Sequence, residues 1–179
     1  MEHCTPQDHI IDTRRKALYE WASAYVIAHK NIQPQELTVV SGDASFRRYF
    51  RLHHAHGSFI AVDAPPEKEN SRPFVAIAQT LFAHGVKVPE IIAADFDLGF
   101  MLLSDFGDVL LRSCLTDDSV DGLYRLAMTE LVHLQSCSAP TDYALPPYDH
   151  AKLMTEMALF KDWFVAQYLG LTLSDEEIA

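Results

Sequence analysis

VPEIIAADFDLGFMLLSDFGD, residues Val88–Asp108, is the segment from which the fold of this 179-residue chain can be worked out. It contains two short apolar runs, Glu90–Ala94 and Phe100–Leu103, whose length and composition are typical of β-strands. The five residues between them, 95–99, carry two aspartates and a glycine, which favour a turn. The segment therefore predicts two adjacent antiparallel strands.

Further strand-like runs precede this segment, and short connections separate them, as in an antiparallel meander. They are Leu37–Val40, Ser45–Leu52 and Ser58–Ala64. Side chains alternate between the two faces of a strand, so Phe50 and Leu52 are predicted on one face. Tyr49 and Arg51 then fall on the other face. We expect a five-stranded antiparallel sheet.

Apolar residues recur at helical spacing in the rest of the chain. The predicted helices are Arg14–His29, Phe74–Ala83, Leu123–Gln135 and Lys152–Gly170. In the last of them, Phe160, Trp163, Phe164 and Tyr168 are predicted on one face. We expect Phe160 and Trp163 to pack toward the helical lobe, with Lys161 in water. Since the partner helices are expected to be missing from this chain, an exposed apolar face that favours association is the alternative.

The composition changes near residues 107–119, from mixed strands and helix to helix alone. This predicts an α+β chain with a helical segment at 1–36, a small lobe at 37–107 and the start of a helical lobe at 108–179.

The composition excludes some classes of partner. A formal net charge of −11 argues against nucleic acid and anionic membranes, which require a basic surface. No run approaches the roughly 20 apolar residues of a membrane span. The polar start, MEHCTPQDHIID, is not a secretory signal, and cytoplasmic localisation is expected.

The cysteines and a cluster of histidines give no metal pattern. Cys4, Cys114 and Cys137 are odd in number and widely spaced, which fits neither a zinc site nor a disulfide framework. The HHAH run at 53–56 lies between two strands, and we interpret it as a hairpin loop instead of a metal site.

Four blocks, in this order, carry a resemblance to a known family. They are VSGDASFRRYFRL (40–52), VDAPPEKENSRPF (62–74), VPEIIAADFDLGFMLLSDFGD (88–108) and LFKDWFVAQYLG (159–170). The chain resembles the aminoglycoside phosphotransferase-like branch of the kinase fold, and within it the bacterial amino-sugar kinases. The resemblance implies a protein-kinase-like small lobe, with five antiparallel strands and one helix, followed by the first helices of the helical lobe.

The resemblance also implies an activity. ATP, with Mg²⁺, would phosphorylate an N-acetylated amino sugar, N-acetylmuramate or N-acetylglucosamine, at its anomeric hydroxyl in cell-wall recycling. A non-catalytic adaptor that binds a protein partner, and a kinase of another small molecule such as an aminoglycoside, remain as alternatives. The sequence does not predict an oligomeric state.

The turn between the first two strands is the predicted phosphate-binding segment. In the family it covers the nucleotide phosphates, and Gly42 favours close approach of backbone N–H groups to anionic oxygens. The segment comprises Ser41, Gly42, Asp43, Ala44 and Ser45. A plain hairpin with glycine at its turn is the alternative interpretation.

Asp105-Phe106-Gly107 matches the tripeptide whose aspartate holds Mg²⁺ in protein kinases. Here it directly follows the fifth predicted strand, and no His-x-Asp…Asn segment precedes it. We therefore interpret residues 103–107 as the connector between lobes. By resemblance, backbone groups of Leu103, Ser104, Asp105 and Phe106 bind the adenine edge.

Protein kinases pair a lysine of the third strand with a glutamate of the next helix. In this chain Asp63 stands near the lysine position, and the helix Phe74–Ala83 has no acid. The cation that contacts the phosphates is left open among Arg47, Arg48 and Lys68.

The family's catalytic loop and metal-binding aspartate are not found in the sequence, so no catalytic residue and no Mg²⁺ ligand is assigned. The chain is expected to be the N-terminal part of a kinase and inactive alone. By resemblance only, Glu156 and Asp162 are expected near the sugar.

Overall fold

The computed structural model describes residues 6–42 and 45–178 of the protein. The strands are β1 (Pro34–Gly42), β2 (Arg48–His54), β3 (Gly57–Asp63), β4 (Ile91–Asp95) and β5 (Phe100–Ser104). The helices are α1 (Pro6–Lys30), α2 (Arg72–Ala83), α3 (Val120–Gln135), α4 (His150–Leu159) and α5 (Asp175–Ile178). A 3₁₀ turn spans Leu111–Cys114, and Phe160–Tyr168 is π-helical.

The five strands form one antiparallel sheet in the order β1-β2-β3-β5-β4. A short hairpin joins β2 to β3, with His54 opposite Gly57. Ala55 and His56 of the HHAH run form its turn as predicted, whereas His53 and His54 belong to β2. β5 inserts between β3 and β4, and Ser104 lies opposite Phe59. This order brings the residues that follow β5 beside the start of β3.

A helix covers each face of the sheet, and each face has its own hydrophobic core. On one face, α1 buries Leu18, Ala22 and Val26, whose spacing of four residues forms a single stripe. On the other face, Val75 of α2 packs with a cluster that includes Met101. The fold is α+β, a kinase-like small lobe followed by helices.

The predicted strands and helices are present, but several bounds differ. Within the described residues α1 runs from Pro6 instead of Arg14, because no helix breaker lies between these two positions. β2 begins at Arg48 instead of Ser45. The predicted helix Lys152–Gly170 is α-helical only to Leu159 and then π-helical, a change that hydrophobic periodicity does not signal.

The chain divides into two compact units, Met1–Tyr143 and Ala144–Ala179. The lobe boundary predicted near residues 107–119 stays a prediction. None of the helices in the described part of the chain is long and apolar enough to cross a membrane.

In the second unit, the rings of Phe160, Phe164 and Tyr168 stack along one side of the π-helical segment, at centroid distances of 5.2 and 5.6 Å. Phe160 and Trp163 are 63% and 67% exposed, the outcome expected where the partner helices are missing, and their packing toward a helical lobe stays a prediction. Val165 is buried.

The turn between β4 and β5 requires glycine at position 99. Gly99 has a φ of +72°, and a Cβ atom there would lie 2.1 Å from the carbonyl oxygen of Ala64 and 2.8 Å from Cδ of Pro66. The backbone N–H of Ala64 donates to the carbonyl of Gly99 at 2.8 Å, so the two segments cannot separate without losing a hydrogen bond.

Replacing this glycine by alanine should therefore destabilise the fold. We expect Gly99→Ala to lower the free energy of unfolding by about 3 kcal/mol, from backbone strain plus the clash with Ala64. Gly107→Ala is the matched control, because Gly107 has a similar φ of +77° and open space around its Cβ position. The control should lose only about 1 kcal/mol in urea unfolding. Equal losses of unfolding free energy in the two variants would contradict the predicted clash with Ala64.

Candidate functional site

A cavity of about 390 Å³ lies on the α2 face of the sheet, between β1, β2, β3 and the connector. Its lining includes apolar side chains of three strands and of α2, together with the whole connector. The lining residues are Val40, Tyr49, Arg51, Ile60, Phe74, Pro89, Leu103, Ser104, Asp105, Phe106 and Gly107. The structure thus brings the four predicted connector residues to one cavity.

The last residues of β1 lie beside this cavity, and one of them, Val40, lines it. Val39 lies opposite Phe50 and Ser41 opposite Tyr49, so Val40 is an extra residue in β1. Such a β-bulge re-aims a side chain, and Val40 lines the cavity while Val39 is 65% exposed. Gly42, the last residue of β1, pairs with Arg48.

The far end of the same segment is held by Glu69. Its carboxylate accepts the backbone N–H of Phe46 at 3.0 Å and binds Arg47 at 3.4 Å. Ser45 is exposed, and its hydroxyl accepts the N–H of Arg47 at 3.1 Å. Asp43 and Ala44, between these two ends, lie outside the described residues.

Ser104 uses its polar groups within the protein. Its backbone N–H donates to the carbonyl of Glu90 at 3.0 Å, and its hydroxyl accepts the N–H of Glu90 at 2.9 Å. The backbone N–H of Ser104, one of the four connector residues predicted to contact adenine, is therefore already used within the protein.

Asp105 directly follows β5, as predicted, and its side chain binds protein groups. Arg51 donates to it from Nε at 2.6 Å and from Nη2 at 3.2 Å. The Ser58 hydroxyl and the Gly107 N–H also donate to it, at 2.6 and 2.7 Å. Arg51 reaches Asp108 as well, at 2.6 and 2.9 Å.

Sequence reasoning missed this network. The alternation of β2 had placed Arg51 on the face shared with Tyr49, but it gave no reason to pair Arg51 with a residue beyond β5. In the part of the chain that the structure describes, no group of three or more histidine, cysteine, aspartate or glutamate side chains is arranged to hold a metal ion. Asp105 and Asp108 both bind Arg51.

The contacts of Asp105 determine its pKa. Burial of the side chain opposes ionisation, but the hydrogen bonds from Arg51, Ser58 and Gly107 outweigh it and lower the pKa to about 2. The hydrogen bond from Arg51 also lowers the pKa of Asp108. Both carboxylates are therefore charged at neutral pH.

Asp63, which stands near the lysine position of protein kinases, lies on the opposite face of the sheet from the cavity. Its carboxylate is fully buried and binds Arg14 of α1, through Nε at 2.9 Å and Nη2 at 2.5 Å, and Arg48 of β2. Because residues two apart in a strand share a face, Asp63 follows Ala61 into the core beneath α1.

The three cations considered for phosphate contact all have partners. Arg48 binds Asp63, and Arg47 binds Glu69. The Lys68 ammonium lies 4.6 Å from the ring centroid of Phe46. The structure does not choose between them.

Glu156 and Asp162 lie in the second unit. The Tyr148 hydroxyl donates to Glu156 at 3.0 Å, and Lys152 binds Glu156 at 3.1 Å. These contacts lower the pKa of Glu156, that from Lys152 most. Asp162 binds Lys161 at 3.5 Å. Both carboxylates are exposed, and their role at a sugar stays a prediction.

The lowered pKa of Asp105 predicts a loss of stability in acid. The folded pKa is about 2 and the ordinary value is 3.8, so ionised Asp105 stabilises the fold above pH 4. That contribution, about 2 kcal/mol, is lost as the pH falls from about 4 to about 2. Urea unfolding should show the stability difference between wild type and Asp105→Asn shrinking by this amount across the window.

Asp117→Asn is the control, because Asp117 is exposed and far from the network in sequence. The free energy of unfolding of Asp117→Asn should differ little from that of wild type at every pH. A difference between wild type and Asp105→Asn that stays constant from pH 6 to pH 2 would contradict the assignment.

Comparison with known proteins gives a consistent set of relatives. Residues 36–179 match the phosphotransferase enzyme family. A Pseudomonas putida protein named N-acetylmuramate/N-acetylglucosamine kinase is 46% identical over 143 residues, which are 80% of this chain and 42% of that protein. Proteins of the same name from Pseudomonas aeruginosa and Neisseria meningitidis are 42% and 38% identical, over 83% and 78% of this chain and 43% and 42% of their own lengths.

The chain spans less than half the length of these curated relatives. The family match nevertheless runs from β1 to the last residue and includes every strand around the cavity. The chain belongs to the phosphotransferase enzyme family.

Proposed function

We propose that the protein is an ATP-dependent phosphotransferase that phosphorylates N-acetylmuramate or N-acetylglucosamine at the anomeric hydroxyl. One observation carries this proposal: the cavity lies between Val40, the residue before the expected phosphate-binding segment, and the connector expected to bind the adenine edge. The family match and the printed names of the relatives support the reaction and the sugar.

The cavity suits the adenine ring. A purine is flat and apolar on its faces and carries donors and acceptors on its edge, so it needs apolar walls and a strip of backbone. Val40, Ile60 and Leu103 supply walls, and Asp105 and Phe106 carry backbone groups beside them. The volume of about 390 Å³ is in the range of small-molecule sites.

We place the phosphates at residues 41–45, which comprise the last two residues of β1 and the segment that follows it. Backbone N–H groups of a glycine-containing turn are suited to anionic oxygens, and Gly42 allows close approach. Arg47, Arg48 and Lys68 are the cations within reach by sequence, and we leave the choice among them open.

We propose that ATP enters as its complex with Mg²⁺, which balances phosphate charge. The described residues offer no carboxylate group suited to hold that ion, and no step is assigned to it. This part of the protein binds and orients the nucleotide. Glu156 and Asp162 are our candidates for contacts to the sugar. We place the reaction in the cytoplasm, where ATP is available, and in cell-wall recycling.

Filling the cavity should weaken nucleotide binding. We expect Val40→Trp to raise the Kd for ATP at least about tenfold, because an indole would occupy the space assigned to adenine. Val39→Trp is the matched control: it is the preceding residue of β1 and faces away from the cavity. Isothermal titration calorimetry measures both.

Equal Kd values for the two variants would place adenine elsewhere. If the wild-type chain binds no ATP, the alternative hypothesis of a non-catalytic adaptor is favoured over that of a kinase.

Residues 1–179 alone should give no turnover. Phosphoryl transfer needs a carboxylate at the acceptor hydroxyl, worth about 10²–10⁴ in rate, and charge stabilisation at the transferring group. Asp105 and Asp108 are bound to Arg51 and cannot act as the carboxylate that accepts the hydroxyl proton.

The assay supplies ATP, Mg²⁺ and either sugar, and it follows sugar phosphate. The protein expressed from its natural reading frame, carried to its stop codon, is tested in parallel and should turn over if it contains the family's catalytic loop. Turnover by residues 1–179 at a rate typical of kinases would contradict this assignment. Turnover of other small molecules, with both N-acetylated sugars inert, would overturn the proposed substrate.

A further inference from the structure

Arg51 links two segments that the proposed function assigns to the nucleotide. It lies in β2, two residues after Tyr49, and Tyr49 is paired with Ser41 at the start of the phosphate-binding turn. The Arg51 guanidinium reaches in the other direction, to Asp105 of the connector. One strand therefore contacts both segments, with a separation between Tyr49 and Arg51 fixed by the strand at about 6.6 Å.

The contact between Arg51 and the connector has a fixed geometry. Arg51 uses Nε and Nη2 for the two carboxylate oxygens of Asp105, and Nη1 and Nη2 for those of Asp108. Paired bonds of this kind set orientation as well as distance, and the planar guanidinium is suited to them. Lysine carries the same charge but cannot make these paired hydrogen bonds.

Asp105 in turn shapes the connector. Its side chain is 6% exposed and accepts the N–H of Gly107 and the hydroxyl of Ser58 on β3. The Gly107 bond closes a local turn around Phe106. The backbone of the connector is thus fixed through one carboxylate, and Arg51 holds that carboxylate.

Local charge argues against a direct phosphate contact for Arg51. One guanidinium faces two carboxylates here, so the group of three side chains carries a net negative charge. Arg51 therefore offers no unbalanced positive charge to an anion. Its contribution is to hold the connector in position.

We propose that Arg51 is a positioning residue for nucleotide binding: through Asp105 and Asp108 it holds the connector in the conformation in which the connector backbone meets the base. The inference rests on the proposed function. It implies that Arg51 acts on the base end of the ligand, so that adenosine and ATP depend on it equally.

The test compares adenosine and ATP as calorimetric ligands for the 179-residue chain. Arg51→Lys should raise both Kd values by the same factor, about tenfold, because the charge is kept and the paired hydrogen bonds are lost. Asp108→Asn should raise both by a smaller factor, about threefold, since Asp105 still holds the guanidinium. Arg125→Lys and Asp117→Asn are the matched controls on exposed positions and should change neither value.

The variants also need a readout that separates positioning from general destabilisation. Binding is measured well below the Tm of each variant, where all chains are folded, so lower stability alone leaves the Kd unchanged. The Asp108 side chain is 72% exposed, so Asp108→Asn carries the test if Arg51→Lys does not fold.

The outcomes are distinct. A rise in the Kd for ATP alone would make Arg51 a phosphate ligand and overturn the inference. Unchanged Kd values in Arg51→Lys would overturn it while leaving the proposed function intact. A wild-type chain that binds neither ligand would overturn the proposed function, and this inference with it.

Discussion

The buried carboxylate of Asp63 is the constraint on which the arrangement of the first unit depends. A charge with no access to water is tolerated only where it is paired, and Asp63 is paired with Arg14 and Arg48. Arg14 also donates to the carbonyl of Leu98, at 2.9 Å. One carboxylate therefore joins α1, two strands and the turn between β4 and β5. The close contact of Gly99 with the residue after Asp63 completes that corner of the fold.

The position of Asp63 also determines which face of the sheet is free for a ligand. Side chains alternate in β3, so a carboxylate directed toward α1 leaves Ile60 and Val62 on the other face. The same alternation in β2 separates Phe50, beneath α1, from Tyr49 and Arg51, which line the cavity. The α1 face is filled by side chains and ion pairs. The α2 face keeps a cavity beside the connector, where backbone groups meet apolar walls.

Local patterns predicted most of the fold and less of the site. Runs of β-branched and aromatic residues located the strands, and the alternation in β2 was enough to place Phe50 and Arg51 on opposite faces. The strand order and the ion pairs were beyond such patterns, because they join residues far apart in the chain. Arg14 and Asp63 are 49 positions apart, and Arg51 and Asp105 are 54 apart. No local feature of β2 distinguishes an arginine that pairs with a distant aspartate from one in solvent.

The charges around the cavity indicate which tasks this part of the protein can perform. A general base at neutral pH needs a pKa near 7 and an oxygen free to accept a proton. Asp105 has the opposite character, with a pKa of about 2 and its oxygens bound to Arg51, Ser58 and Gly107. Glu69, at the other end of the site, binds Arg47 and the N–H of Phe46. Each of these carboxylates holds a backbone segment in place through its hydrogen bonds and its ion pair with an arginine. The described acids around the cavity thus hold backbone segments in place, and neither has the character of a general base.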